Sequence, residues 1–258
     1  MQPAVVITGA SSGLGVEFAR IAVAEGSKTV LIARSLDALE RLAAEIDPSR
    51  QSTVALGVDL AAPDAGETIA RELAARGLYC HTLINNAGFG LFGDAVELDR
   101  GRQLGMIDVN IGAATDLMLR FLPDMIGRKA GRVLNVGSVS GFAPGPRMAV
   151  YFASKAYLVS LSQALLNELN GTGVTLTCLC PGPLRTPFLT RAGAGEVRLF
   201  KLLRKLPVDE VARSGWEAMK AGRALCVPGI GTKAAIAVTR FLPRGLVLAV
   251  IARLQRGR

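Results

Sequence analysis

The chain is short of the residues from which metal centres and disulfide scaffolds are built. Among 258 residues there is one histidine, His81, and there are four cysteines, Cys80, Cys178, Cys180 and Cys226, none in a CxxC spacing. With no second histidine for a His-pair site, metal catalysis is not expected, and a chain of this length has little need of a disulfide framework. Cys178 and Cys180 alternate within VTLTCLC, so they share one face of an expected buried strand, where a reduced thiol behaves as a small hydrophobe. The expected compartment is reducing and cytoplasmic. Aromatic residues make up only 5% of the chain and do not interleave with the late cations Arg191, Arg198, Lys201, Arg204, Lys205, Arg240, Arg244, Arg253, Arg256 and Arg258 in the way a single-strand binder would need. The net charge of +9 therefore favours an anionic partner without pointing to nucleic acid. No stretch reaches the ~18 uninterrupted apolar residues of a spanning helix. The start, MQPAVVITGASSG, lacks the charged residues and long apolar run of a targeting segment.

What is present is an alternation of short apolar runs with helical periods. Strands are expected at 4–8, 29–33, 53–58, 82–86, 133–138, 174–180 and 224–229, with helices from Gly13, over 35–46, 67–77, 99–126 and 151–170. Strands rich in valine, leucine and isoleucine along their whole length imply a sheet covered on both faces. The expected fold is thus an α/β, Rossmann-type doubly wound parallel sheet of about seven strands. With no internal repeat or low-complexity linker, one domain over 1–258 is expected.

Two short stretches carry the chemistry. TGASSGLG, residues 8–15, follows the first strand and opens a helix, the place where backbone N–H groups meet a pyrophosphate. Its Gly9, Gly13 and Gly15 are spaced G-x3-G-x-G, which departs from the G-x-G-x-x-G dinucleotide pattern. In YFASK, Tyr151 and Lys155 sit one helical turn apart, about 5–6 Å at Cβ, and can act on one small object. An ammonium there favours the phenolate and lowers a phenol pKa from about 10, which suits proton transfer near neutral pH. Ser138 ends an expected strand at the edge where open α/β sheets bind ligands, although Ser140 could serve instead, or both could cap turns.

TGASSGLG, NNAG at 85–88, Asn110, Ser138, YFASK and the Pro181-Gly182 pair, in that order, resemble the short-chain dehydrogenase/reductase family over nearly the whole chain. The resemblance implies a nicotinamide cofactor and hydride transfer between it and a carbonyl or alcohol. It implies Asn110, Ser138, Tyr151 and Lys155 as the catalytic set, with Asn110 holding a water and Lys155 the ribose hydroxyls. It also implies a cofactor site built from Gly9, Ser11, Ser12, Gly13, Leu14 and Gly15, from Asp59 and Leu60 at the adenine, from Asn86, Ala87 and Gly88 at the ribose side, and from Tyr151, Lys155, Pro181, Gly182 and Thr186. Asn85 and Asn86 could otherwise be strand-end amides that satisfy backbone groups. The second strand ends LIARS, where Ala33 supplies no acid to a ribose 2′-OH and Arg34 with Ser35 offers a cation and a hydroxyl to a 2′-phosphate. The expected cofactor is NADP(H), unless Arg34 is simply a solvated loop residue. A homodimer or homotetramer associating through 99–126 and 151–170 follows from the resemblance alone, and a catalytically idle NADP-binding sensor or scaffold is the alternative function.

The substrate is read from the late segments. A lid is expected over about 184–207, where Leu199, Leu202, Leu203 and Leu206 form one apolar helical stripe, Arg198, Lys201 and Lys205 fall away from it, and Pro207 ends the run. Beyond Pro243 an apolar helix set among arginines closes an extension over about 231–258. Both segments could pack on the core or a second subunit. Alternatively they serve a bulky apolar, acyl- or steroid-like carbonyl of lipid metabolism, with peripheral membrane contact through the C-terminal segment.

Overall fold

The structure, a computed structural model, describes residues 1–195, 197 and 205–256. Seven strands, β1 (Gln2–Thr8), β2 (Lys28–Ala33), β3 (Thr53–Gly57), β4 (Leu78–Asn85), β5 (Gly131–Val136), β6 (Val174–Leu179) and β7 (Leu225–Cys226), form one sheet in the order β3-β2-β1-β4-β5-β6-β7. Every pairing is parallel. This is the doubly wound sheet that the uninterrupted apolar strands imply.

Side-chain alternation explains why both faces must be covered. Val5 and Ile7 of β1 point to one side with Leu31, Ile84 and Leu134, and meet Phe18 of α1 (Leu14–Ala24), Leu39 of α2 (Leu36–Ile46) and Trp216 of α8 (Val208–Lys220). Ala4 and Val6 point to the other side with Val30, Ile32 and Leu83. There they meet Ile69 of α3 (Ala65–Ala75), Met118 of α5 (Ala114–Gly127) and Leu158 of α6 (Ala149–Glu168).

Three sequence expectations need correction. The helix expected over 99–126 is divided into α4 (Arg100–Ile107), a π-helical turn over Asp108–Ala113, and α5. The strand expected over 224–229 pairs only at Leu225–Cys226, because Pro228 and Gly229 break the ladder. The strand expected at 82–86 begins earlier, at Leu78. The lid, which carries α7 (Phe188–Arg191), is described through residue 195, at 197 and again from Lys205; of the expected apolar stripe only Leu206 falls within the described residues, in a parallel bridge to Leu184. The C-terminal extension is a helical pair, α9 (Ile230–Phe241) and α10 (Arg244–Arg256).

Chain order reverses across β1: the chain runs outward to β2 and β3, then returns to β4 on the other side. At such a switch point the loops at the carboxyl ends of the strands splay apart and leave a crevice. A cleft of about 930 Å³ opens there, lined by residues from Gly9 to Ile251.

Candidate active site

The phosphate loop between β1 and α1 is shaped by two close approaches. Gly9 has φ 65° and its missing Cβ would stand 2.9 Å from Ala87 Cα; a Cβ on Gly15 would stand 2.2 Å from the Gly9 carbonyl oxygen. Any side chain at either place would collide with the backbone that closes the turn. Asn86 fastens the loop, its Nδ2 donating to the Thr8 and Gly9 carbonyls at 2.9 and 3.1 Å. Asn85 points into the core and donates to the Ala114 carbonyl and to Asn135 Oδ1. The two amides therefore do serve backbone groups, and Asn86 does so at the rim of the cleft.

At the next strand end, Arg34 and Ser35 line the cleft. Ser35 is the N-cap of α2, its Oγ accepting from the Ala38 N–H at 3.3 Å. This leaves the hydroxyl proton free to donate, and brings the N-terminus of an 11-residue helix to the same spot. A guanidinium, a hydroxyl and a helix N-terminus meet where an acid would exclude a phosphate. Asp59 and Leu60 line the same end.

Ser138, Tyr151 and Lys155 converge at the floor, all buried. The Ser138 side chain accepts from the Ser140 N–H at 3.1 Å and caps the short 3-10 turn Val139–Phe142. Its hydroxyl lies beside the phenol of Tyr151 and favours the phenolate. Burial outweighs it and pushes Tyr151 up to about 12. Lys155 is not among the groups that set this value. The ammonium stands 5.9 Å from the ring centroid and is held instead by the Val136 carbonyl at 2.8 Å. Burial pushes Lys155 down to about 8.

Asn110 lies in the π-helical turn, almost wholly buried. Its Oδ1 accepts from the Phe89 N–H at 3.1 Å, and its Nδ2 donates to the Phe89 carbonyl at 3.0 Å and to Ser154 Oγ at 3.1 Å. The extra residue of the π turn swings this amide inward against the backbone beside Gly88, where a Cβ would touch both Asn110 and Lys155. Asn110 is thus a buried clamp on the Phe89 backbone. Pro181, Gly182 and Thr186 cross the cleft, the Thr186 methyl reaching the phosphate loop at Gly13.

Sequence reasoning missed several lining residues. Arg191 of α7 reaches back 179 positions to donate to Ser12 Oγ at 3.5 Å, so a cation hangs over the phosphate loop. Phe188 packs its ring 5.5 Å from that of Tyr151. Ile236, Thr239 and Ile251 close the far wall from α9 and α10. No short-range signal links these late residues to the cleft. The one histidine, His81, does not line it; its Nε2 meets Arg132 Nη1 at 3.3 Å and burial lowers its pKa.

The cradle fits a nicotinamide dinucleotide: backbone close to a helix N-terminus for the pyrophosphate, cations at both its ends, and a buried phenol and ammonium on the floor. The short chain dehydrogenase family model matches residues 3–196. A human very-long-chain 3-oxoacyl-CoA reductase is 34% identical over 68% of this chain and 57% of its own length. A sulfoacetaldehyde reductase of Chromohalobacter salexigens is 35% identical over 82% of this chain and 86% of its own. Among solved structures, a short-chain dehydrogenase from Sphingobium yanoikuyae in complex with NADPH superposes with TM-score 0.80 at 31% identity, covering 95% of this chain and 94% of that one. One from Burkholderia phymatum in complex with NAD gives TM-score 0.81 at 26% identity, covering 92% of each. The crevice, its glycine cradle and the phenol–ammonium floor thus belong to a nicotinamide-dependent oxidoreductase, and the chain is a member of the short-chain dehydrogenase/reductase family.

Proposed function

We propose that this oxidoreductase uses NADPH to interconvert a bulky apolar carbonyl, acyl- or steroid-like, and its secondary alcohol. The observation that carries the substrate class is the far end of the cleft, where Phe142, Met148, Phe152, Phe188, Ile236 and Ile251 line the space beside Tyr151. Such walls gain free energy only by removing apolar surface from water, and they reject a small hydrated aldehyde that offers none. Arg34, the Ser35 hydroxyl and the α2 N-terminus support NADPH over NADH.

In the proposed reduction the substrate oxygen accepts hydrogen bonds from Ser138 and Tyr151. The phenol, protonated across neutral pH because burial holds it up, transfers its proton to that oxygen. A reduced nicotinamide dinucleotide, held by the glycine loop, Tyr151 and Lys155, would supply the hydride, two electrons, to the carbonyl carbon. The phenolate left behind is stabilised by the Ser138 hydroxyl beside it, and Lys155, one helical turn on, would hold the ribose hydroxyls. Asn110 keeps the loop at Phe89 in place beside Lys155, and Arg191 neutralises phosphate charge over Ser12. The cleft takes lining from Gly9 to Ile251, which supports reading the whole chain as one catalytic unit.

The test is NADPH consumption with a chain-length series of ketones and a steroid-like ketone. Rising kcat/KM with apolar bulk is expected. A preference for short polar aldehydes would overturn the substrate class, and tight NADPH binding with no carbonyl-dependent turnover would leave a cofactor-binding scaffold.

A further inference from the structure

The C-terminal pair turns an apolar face outward. On α9, Ile230, Ala234, Ala237, Val238 and Phe241 recur at i, i+4, i+7, i+8 and i+11, one stripe of the helix, and all of them are exposed. Ile230 and Phe241 are each 87% exposed and Val238 is 54% exposed, values that a helix packed by its apolar stripe does not show. The opposite face of α9 carries Ile236 and Thr239 and looks into the cleft beside the turn at Val139–Phe142. On α10 the inward side carries Val247, Ile251 and Gln255, while Leu246, Leu248 and Val250 are exposed. Inner and outer faces of both helices are therefore apolar, which one aqueous neighbour does not require.

Charge narrows what covers the outer face. From Ala218 to Arg258 the sequence has no Asp or Glu, yet carries Lys220, Arg223, Lys233, Arg240, Arg244, Arg253, Arg256 and Arg258. Lys233, Arg244 and Arg253 are exposed around the apolar stripe. A second copy docked by the same face about a two-fold axis would set these cations against one another, with no acid in the segment to pair them. An apolar stripe flanked by cations is instead the pattern of a helix lying in the headgroup region of an anionic bilayer.

We propose that α9 and α10 form an interfacial docking surface for an anionic lipid bilayer. The protein rests on the bilayer without crossing it, in keeping with the absence, among the described residues, of a helix long and apolar enough to span. Because Ile236 and Ile251 wall the cleft from the inner sides of the same helices, docking sets the substrate end of the cleft against the hydrocarbon from which an apolar carbonyl would come.

The test is co-sedimentation of the full chain at low salt with vesicles of phosphatidylcholine alone and of phosphatidylcholine mixed with phosphatidylglycerol. Binding is expected to the anionic vesicles, to fall steeply with salt, and to be much weaker for neutral ones. Ile230→Asp and Phe241→Asp, at solvent-exposed positions outside the cleft, should each lower partitioning about tenfold or more while leaving NADPH affinity unchanged. Absence of binding to anionic vesicles overturns the proposal. So does a dimer in light scattering that the same variants split while vesicle binding stays constant, since a second copy would then cover the face. No carbonyl enters this experiment, so its failure leaves the reductase reading intact, and failure of the ketone series leaves the docking surface intact.

Discussion

Lys155 holds its charge at the edge of the physiological range. Its ammonium is buried against the Val136 carbonyl and pushed down to about 8 from an ordinary 10.5. The protonated form, which under the proposed function would offer donors to ribose hydroxyls, is lost as pH rises through about 8. Cofactor affinity is expected to weaken between neutral pH and pH ~9, and Lys155→Met to bind weakly with a flat profile; titration calorimetry across that range checks both, and a steep profile in the variant would assign the dependence elsewhere. The linkage to stability has the opposite sign. Between about 8 and 10.5 the unfolded chain binds more protons at this residue than the folded one, so its contribution to stability rises with pH across that window. Tyr151, pushed up to about 12, remains a donor throughout. Tyr151→Phe should lower kcat by at least about a hundredfold with NADPH binding nearly intact, and a variant retaining most of its rate in steady-state assays would displace Tyr151 from the acid role. Arg34→Ala should weaken NADPH far more than NADH, because only NADPH carries the 2′-phosphate. Equal losses by calorimetry at fixed salt would remove Arg34 from that contact.

At the scale of elements, the glycine cradle makes the sharpest structural demand. Gly15→Ala puts a methyl group 2.2 Å from a backbone oxygen rather than against a side chain that could swing away. The turn must open, with a loss of roughly 2 kcal/mol in stability and of cofactor binding; a shift in the urea midpoint and a cofactor titration measure the two together. This loop, the strand ends and the YFASK helix were legible in the sequence because short-range spacing encodes them. The π turn at Asp108–Ala113 was not, since one inserted residue shifts a helical period by too little to see in composition, although it decides that Asn110 turns inward to Phe89. The shortness of β7 was equally hidden: Leu225 and Cys226 continue an apolar run, and only pairing geometry at the sheet edge shows where the ladder stops. Ser35 gave a mixed lesson, being recognised as a hydroxyl for phosphate while its service as the α2 N-cap went unseen.

The whole molecule leaves a second exposed apolar region, distinct from the C-terminal pair, around Leu104, Ile107, Leu119, Ile126 and Tyr157 on α4, α5 and α6. We expect this side to join copies of the chain into a dimer or tetramer, and Leu119→Asp to shift the mass from light scattering toward the monomer at micromolar concentration; a wild-type monomer under those conditions would refute the assembly.

The far wall of the cleft also divides the polypeptide by labour. Phosphate loop, phenol and ammonium all lie within 3–196, the span shared with the family, whereas Ile236, Thr239 and Ile251 reach the cleft from beyond it. The apolar wall is shared between the two stretches, with Phe142, Met148, Phe152 and Phe188 from the first and Ile236 and Ile251 from the second. Under the proposed function, mutations after Pro207 would reshape what is admitted while the groups proposed to move the proton, Ser138, Tyr151 and Lys155, stay untouched, so a lineage would change its diet without relearning how to transfer a hydride.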